Sequence, residues 1–184
     1  MTKKILLGGL VGSVVVFVVS ALVHLGPLGM VGIQTLPNED AVMSAMSASI
    51  HDAGFYFFPG MPPGGDQNAY AQMLKTHPNG ILVYLPPGTE LNFGKLLGMQ
   101  FLVGLVASFV LAWMLLLVVD ATYGKRVLFV VAVALFAGIV YDVPSWIWYG
   151  FPASYTIMHI AGWTVSWTAA GLAMAAIIKR PQAA

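Results

Sequence analysis

Two histidines at the ends of long apolar runs are the residues in this sequence best suited to hold a cofactor. His24 closes the first run, and His159 lies one turn into the last, so both are expected near the same end of a helical bundle. Two imidazoles at a similar depth suit an axial haem pair or a pair of metal ligands. Histidines at such positions also serve as interfacial or helix-capping groups. The leading interpretation is that no cofactor binds, with haem on His24 and His159 as the alternative.

One carboxylate lies in an apolar run that is joined by a short link to the run carrying the second histidine. Asp142 precedes Pro144 in the third run, and His159 follows in the fourth. Ionisable groups in apolar spans are costly and often functional, so a contact between Asp142 and His159 could relay protons or bind a polar headgroup. The competing interpretation is structural, with Asp142 bonded to backbone exposed at Pro144.

No residue pattern in the chain predicts catalysis. His51, Asp52 and His77 lie outside the long apolar runs, but no nucleophile elbow, His-Glu-x-x-His motif or phosphate loop accompanies them. His51 is instead expected at a helix C-terminus, where the dipole favours a cation. Cysteine is absent, which excludes disulfides, thiolate metal sites and thiol nucleophiles. The sequence therefore predicts neither catalytic residues nor a set of metal ligands.

The composition is that of a membrane protein. Of the 184 residues, 59% are hydrophobic and only 8% are charged, whereas roughly a quarter are charged in soluble domains. The net charge of +1 argues against nucleic-acid binding, because the chain has no basic surface with which to neutralise phosphates. We therefore expect a membrane α-helical fold.

Four apolar runs are long enough to cross a bilayer, since about 20 apolar residues span its hydrocarbon core. The third is expected to reach the membrane surface near Asp142 and to continue as an interfacial turn, because Pro144 tends to kink or end a helix. Short links join the last three runs, so those helices are expected to be neighbours, with the first packed against them. The four runs are 5–25, 96–119, 127–148 and 156–178.

The basic residues set the expected orientation. Of the eight, only Lys75 and Lys95 lie on the side of the long segment between the first two runs. Because cytoplasmic loops retain Lys and Arg, both termini are expected inside a bacterial inner membrane and residues 26–94 in the periplasm. The first run is longer than the roughly 7–15 apolar residues of a signal peptide, so we expect an anchor helix. The other six basic residues are Lys3, Lys4, Lys125, Arg126, Lys179 and Arg180.

The periplasmic segment is predicted to be a small α+β insertion between the first and second membrane helices. Asn38 and Asp66 are expected to cap its two helices. Two short strands are marginal alone, so we expect them to pair and to pack under both helices. The predicted elements are a helix over 38–50, a strand over 55–58, a helix over 66–76 and a strand over 81–85. The predicted domains are 1–25, 26–94 and 95–184.

Aromatic side chains provide the candidate interaction surfaces. The first strand is entirely aromatic, and an exposed strand edge can accept a strand from a partner. The aromatic residues near the end of the third run resemble an interfacial belt that could also hold lipid. The predicted interaction residues are Phe55, Tyr56, Phe57, Phe58, Asp142, Trp146 and Trp148.

Small residues four apart indicate where helices approach each other closely. In lipid, helix association relies on packing and hydrogen bonds, so these stripes are expected at contacts within the bundle, with dimerisation as the alternative. The stripes are Gly8 and Gly12 in the first run, Gly104 and Ser108 in the second, and Gly162, Ser166 and Ala170 in the fourth.

Five short motifs spread along the chain carry a resemblance to known proteins. They are Lys-Ile-Leu-Leu-Gly-Gly at 4–9, Leu-Pro-Asn-Glu-Asp-Ala-Val at 36–42, the strand-Pro-Gly element at 55–60, Lys-Arg-Val-Leu-Phe at 125–129 and Trp-Ile-Trp-Tyr-Gly-Phe at 146–151. With these motifs the chain resembles a family of small uncharacterised bacterial four-helix inner-membrane proteins. The resemblance implies the fold and the location, and it brings no activity or binding residues.

The sequence leaves different classes of function open. The leading hypothesis is a non-catalytic accessory subunit that binds lipids and membrane-protein partners in a larger inner-membrane complex, with electron transfer as one candidate setting. The alternative is a small transporter or a haem-bearing redox subunit that uses His24, Asp142 and His159. Transport is disfavoured because the centres of the second and third runs are almost wholly aliphatic and the chain has no inverted repeat. A homo-oligomer with a lipid-related role is the third hypothesis.

Overall fold

The computed structural model describes residues 2–180, which fold into long helices and a small two-stranded sheet. In chain order the elements are α1 (Thr2–Leu25), α2 (Glu39–Ser49), β1 (Gly54–Phe58), α3 (Gln67–Thr76), β2 (Gly80–Tyr84), α4 (Phe93–Leu117), α5 (Tyr123–Tyr149) and α6 (Ala153–Ile177), with 3-10 turns at Pro27–Met30 and Pro63–Gly65. Four of them, α1, α4, α5 and α6, are long and apolar enough to cross a membrane. The prediction of four such helices is confirmed.

The chain divides into two compact units. The helical unit contains residues 2–33, 92–147 and 151–180, and the small unit contains residues 34–91 together with 148–150. Residues 26–33, which the sequence places in the periplasmic segment, therefore cluster with the helices.

Within the helical unit, α1 makes the closest helix–helix approaches, to α6 and to α4. Glycines on α1 permit them. A Cβ atom on Gly12 would lie 2.5 Å from Met174 Sδ on α6, and one on Gly9 would lie 2.6 Å from the ring of Phe109 on α4. The most closely packed helix pairs are therefore not the ones joined by short links. Glycine has no side chain, so it lets two helices come closer together than a short connecting link does.

The small-residue stripes lie at contacts within the helical unit, as predicted. Ser108 on α4 is fully buried, and so are Ser166 and Ala170 on α6. A Cβ atom on Gly162 would lie 2.9 Å from Val23 on α1. The fully buried apolar core next to these stripes consists of Ala112, Leu115, Val130, Ala170, Met174, Ala175 and Ile178.

The third apolar helix differs from the prediction at its end. We expected a turn after Asp142, yet α5 continues through Pro144 to Tyr149. Proline removes one backbone N–H and leaves the carbonyl one turn earlier without its helical donor, which a helix tolerates when the flanking bonds hold. Trp146 and Trp148 consequently lie on a helix, with exposed fractions of 49% and 78%.

At the end of the helical unit where α5 begins, one basic residue has a structural role. Arg126 was interpreted only as an orientation signal, but it is buried. Its guanidinium donates to the carbonyls of Ala121, at 2.5 Å, and Ala175, at 3.0 Å. Arg126 therefore ties the start of α5 to a carbonyl of the link that precedes it and to a carbonyl in the last turn of α6. At the same end, Lys4 Nζ donates to the Lys179 carbonyl, and Arg180 pairs with Asp120.

The small unit has the predicted order of helix, strand, helix and strand. Its two strands pair antiparallel, with Phe55 opposite Val83 and Phe57 opposite Ile81. Asp66 caps α3 as predicted, since its carboxylate accepts from the N–H groups of residues 68 and 69. Asn38 precedes α2 but adopts a left-handed conformation and makes no side-chain cap, which corrects its expected role.

The two helices of the small unit bury the two strands less than expected. Tyr84 is the only buried residue in the small unit, all of which is described. Two helices of 11 and 10 residues offer too little apolar surface to bury a sheet of this kind. The aromatic strand β1 is therefore left largely uncovered.

Candidate functional site

The helical unit brings together the two histidines and the aspartate that the sequence singles out. His24 lies near the end of α1, Asp142 near the end of α5 and His159 in the second turn of α6. The His159 Nδ1 atom lies 2.6 Å from Asp142 Oδ1, so the expected contact between them is present. The ring centroids of His24 and His159 are 6.1 Å apart with planes at 89°. We call these three residues the histidine cluster.

Both rings have a hydrogen bond at their Nδ1 atom. His24 Nδ1 lies 2.8 Å from the Ser20 carbonyl oxygen, which can only accept, so Nδ1 must carry the hydrogen. His159 Nδ1 lies 2.6 Å from Asp142 Oδ1, and when that carboxyl group is ionised it can only accept from the imidazole. The second nitrogen, Nε2, makes no hydrogen bond within residues 2–180 on either ring. In the neutral imidazole it has a lone pair available to a ligand.

Two aromatic side chains on α6 hold these rings in place. Tyr155 stacks on His159 with a centroid distance of 5.4 Å and an interplanar angle of 13°. Trp163 meets both imidazoles edge to face, at 5.8 Å from His24 and 5.9 Å from His159. Contacts of this kind favour one ring orientation. The histidine rings are thus oriented before any ligand arrives.

A cavity of about 150 Å³ lies beside the cluster. Both histidines, Tyr155 and Met158 line it, and the segment that follows α1 supplies another wall through Val31. That segment turns at Gly32, where φ is +81° and an added Cβ would lie 2.7 Å from the Tyr155 backbone nitrogen. Only glycine suits such a conformation and approach. The cavity has the size for a few waters or one small ligand.

Asp142 is the unusual member of the cluster. Its side chain is only 6% exposed, and its second oxygen, Oδ2, is buried and has no hydrogen-bond partner among residues 2–180. Its one side-chain bond within residues 2–180 goes to His159, and the expected bond to backbone near Pro144 is absent. A buried carboxylate with an unpartnered oxygen is costly unless a proton, a cation or another donor meets it.

The cluster lacks the ligands of a conventional protein metal site. Among residues 2–180, no group of three or more His, Asp or Glu side chains is arranged to hold a metal ion. His51 and His77 belong to the small unit, whereas the histidine cluster belongs to the helical unit. Any ion at the cluster would depend on two imidazoles together with other donors.

The small unit presents a second candidate site, on the strands. Phe55 and Phe57 point to one face of the sheet, with ring centroids 5.1 Å apart, and their cross-strand partners are Val83 and Ile81. Phe55, Phe57 and Val83 are 57%, 54% and 71% exposed. We call these four residues the aromatic face.

The other predicted interaction residues do not join that face. Tyr56 and Phe58 point to the opposite side of the sheet, since side chains alternate along a strand. The Tyr56 hydroxyl donates to the Asp52 carbonyl at 2.9 Å, and Phe58 lies against Gly80. Trp146 belongs to the helical unit and Trp148 to the small unit.

Sequence reasoning missed the residues that support the histidine cluster. Tyr155, His159 and Trp163 are four apart on α6, and Ser20 and His24 are four apart on α1. Residues at this spacing share one face of a helix. The sequence signal for these residues was a tyrosine, a histidine and a tryptophan spaced four apart among apolar neighbours.

Comparisons with known proteins do not assign this chain to a family. No protein-family model, curated protein or solved structure matches the chain. The resemblance to small bacterial inner-membrane proteins stays a prediction, and function has to be argued from the two sites.

Proposed function

We propose that this chain is a non-catalytic, multi-pass protein of the bacterial inner membrane that serves as an interaction subunit of a larger membrane complex. The observation that carries the proposal is the aromatic face, an apolar surface left open in a unit with one buried residue. Exposed apolar patches on small units mark interaction sites, because burying them on a partner is favourable. The partner that fits is an apolar surface of another membrane-protein subunit.

The composition of the face supports a protein partner. Phe55 and Phe57 offer rigid aromatic area, and aromatic residues are enriched at the centres of interfaces. Val83 and Ile81 extend the same surface with β-branched side chains, which lose little rotamer freedom on binding. No charged side chain is part of these two cross-strand pairs. The aromatic face is therefore suited to bind a partner through apolar packing rather than through electrostatic attraction.

The membrane topology belongs to the same proposal. We place both termini in the cytoplasm and residues 26–94 in the periplasm, because six of the eight basic residues flank the helices on one side. The chain has no cysteine, so a single introduced cysteine reports its own position. Gly60 and Gly124 are suitable positions, since an added Cβ at either meets nothing within 4 Å.

Labelling these cysteines in intact cells tests the topology. A membrane-impermeant maleimide that crosses the outer membrane should modify Gly60→Cys in intact cells and Gly124→Cys only after the inner membrane is opened. The reverse pattern would overturn the proposed orientation, and equal labelling at both positions in intact cells would overturn the inner-membrane topology.

The interaction itself is tested by changing the face while sparing the fold. A photo-crosslinking amino acid at Phe57 should form one dominant adduct with a membrane protein, to be identified by mass spectrometry. The double variant Phe55→Ser with Val83→Ser should remove that protein from mild-detergent preparations. Met61→Ser is the matched control, because Met61 is 52% exposed and lies outside the face. A partner that both variants retain equally, or crosslinks to lipid alone, would refute the proposal.

A second candidate function uses the histidine cluster. The convergence of His24, Asp142 and His159 beside a cavity favours a cofactor-bearing redox subunit or a small transporter. A Soret band in the purified protein that disappears in His24→Ala would support haem. Proton- or ion-coupled transport that is unchanged in Asp142→Asn would remove the carboxylate from a transport mechanism.

A further inference from the structure

We propose that the histidine cluster binds one copper(I) ion through the Nε2 atoms of His24 and His159, with the thioether of Met158 as a third ligand. The inference names a ligand for the second candidate function and rests on it for the choice of residues. It is independent of the aromatic face.

The hydrogen bonds of the two imidazoles are those of metal ligands. A histidine that binds a metal usually donates its other ring N–H to a carboxylate or a backbone carbonyl, which fixes the tautomer and strengthens the ligand. His24 does so to the Ser20 carbonyl, and His159 does so to Asp142. Each histidine thus has a separate partner that leaves Nε2 for an ion.

The separation of the rings suits one shared ion. An imidazole nitrogen binds a metal at about 2.0–2.1 Å, which places the ring centre roughly 3.2 Å from the ion. Two rings on one ion are then about 5.2 Å apart at a tetrahedral angle and about 6.4 Å apart when collinear. The centroids of His24 and His159 are 6.1 Å apart, within this range and near its linear end. Wide angles of this kind suit low-coordinate copper(I).

The other donors at the cavity select a soft ion. Met158 lines the same cavity as both histidines, and thioether ligands favour copper(I), whereas Mg²⁺ and Ca²⁺ require oxygen ligands. Met30 follows α1 within the 3-10 turn but is 61% exposed and is not needed for the site. Two nitrogens and one sulfur therefore point to copper rather than to a hard cation.

Charge balance favours a monovalent ion. Among residues 2–180, Asp142 is the only buried carboxylate, and its Oδ2 atom has no partner. A buried charge is tolerated when an opposite charge compensates it. A single positive charge bound through His159 would balance Asp142, while a divalent ion would leave one excess charge in an apolar surrounding. The site thus prefers copper(I) to Zn²⁺.

The size of the cavity distinguishes an ion from haem. Haem would use the same two nitrogens, but its macrocycle would need space between and around the two rings. The cavity of about 150 Å³ is smaller than the roughly 300–1,000 Å³ of pockets for organic ligands. A bare ion needs no such space.

Anaerobic titration of the full-length protein tests the site. Protein purified in mild detergent and stripped with a chelator is titrated with copper(I) against a colorimetric copper(I) chelator, and with Zn²⁺ in parallel. We expect one copper(I) per chain and a preference over Zn²⁺. X-ray absorption of the wild-type complex should show nitrogen scatterers and one sulfur scatterer. This measurement needs no variant, so it decides even where a substitution prevents folding.

Variants then assign the ligands. His24→Gln and His159→Gln should each abolish stoichiometric binding, and Asp142→Asn should weaken it about 10–100-fold, as changes to groups that orient a ligand do. Met158→Leu should remove the sulfur scatterer while the helices remain folded. His51→Gln, on an exposed histidine outside the cluster, should bind like wild type.

Each contrary outcome overturns the inference in a defined way. The absence of stoichiometric copper(I), or equal binding by His24→Gln and His51→Gln, would remove the metal site. Tighter binding of Zn²⁺ would overturn the choice of ion. A Soret band with no copper binding would instead support haem at the same residues, so this inference and the second candidate function can fail separately.

Discussion

The packing of α1 makes its glycines the sharpest test of the helical unit. In Gly12→Ala, the new Cβ would lie 2.5 Å from Met174 Sδ and 2.9 Å from its Cγ. Met174 is fully buried, so its side chain has no solvent-facing space into which to move. Either α1 must move away from α6 or the side chain must leave its rotamer. Overpacking of this kind costs about 1–3 kcal/mol in the free energy of unfolding.

A matched glycine separates this packing cost from the change in helix propensity. Gly98 on α4 has nothing within 4 Å of an added Cβ, so Gly98→Ala makes the same chemical change in an apolar helix without the contact. Both variants gain the advantage of alanine over glycine, which is at most about 1 kcal/mol. The difference in unfolding free energy between the two variants is therefore the packing term alone, about 1–3 kcal/mol.

Unfolding in mixed micelles gives that difference directly. Purified wild type, Gly12→Ala and Gly98→Ala are titrated with a denaturing detergent, and the loss of helical circular dichroism is followed. We expect Gly98→Ala to equal or exceed wild type in stability and Gly12→Ala to unfold at a lower detergent fraction. Equal midpoints for the two variants would refute the close approach of α1 to α6.

Two further predictions concern the buried charged residues. Arg126→Met should lower the unfolding free energy by about 2–4 kcal/mol, since two charge-assisted hydrogen bonds to carbonyls are lost; the exposed neighbour in Lys125→Met should change it little, and equal losses would contradict the structural role of Arg126. Nitrogen-15 NMR of labelled histidine should show His24 and His159 as Nδ1–H tautomers. In Asp142→Leu the signal of His159 alone should move toward the Nε2–H form, whereas an unchanged His159 spectrum would disprove the bond to Asp142.

The sequence predicts the helices of this chain better than their arrangement. Long apolar runs and the period of β-branched and aromatic residues are local signals, so the four long helices and the two strands follow from them. Which helices pack most closely depends on where a glycine of one helix faces a side chain of another, and Gly12 shows this only together with Met174. The continuation of α5 past Pro144 depends on the backbone hydrogen bonds on either side of the proline. The presence of a proline in the sequence does not reveal whether those bonds form. Local patterns thus determine the elements, and three-dimensional contacts determine their packing.

The histidine cluster was predictable in part for the same reason. His24 and His159 were expected at one end of a bundle because helix lengths and directions follow from the apolar runs. The short link between α5 and α6 made a contact of Asp142 with His159 plausible, and the structure has that contact. The Nδ1 hydrogen bonds and the unpartnered Oδ2 were not predictable, since they depend on side-chain rotamers in the folded chain.

The two buried charges of the helical unit differ in a way that bears on function. Arg126 and Asp142 are 16 residues apart on α5, about 24 Å along the helix axis. Two carbonyl acceptors meet the Arg126 guanidinium, one in the link before α5 and one in the last turn of α6, where the helix dipole favours a cation, while its Nε atom is buried without a partner within residues 2–180. Within residues 2–180, the imidazole of His159 is the one side-chain partner of Asp142, and its Oδ2 atom has none. Arg126 thus has two protein acceptors and Asp142 has one protein partner, so Asp142 is the buried charge of α5 that is more open to a further donor or a cation.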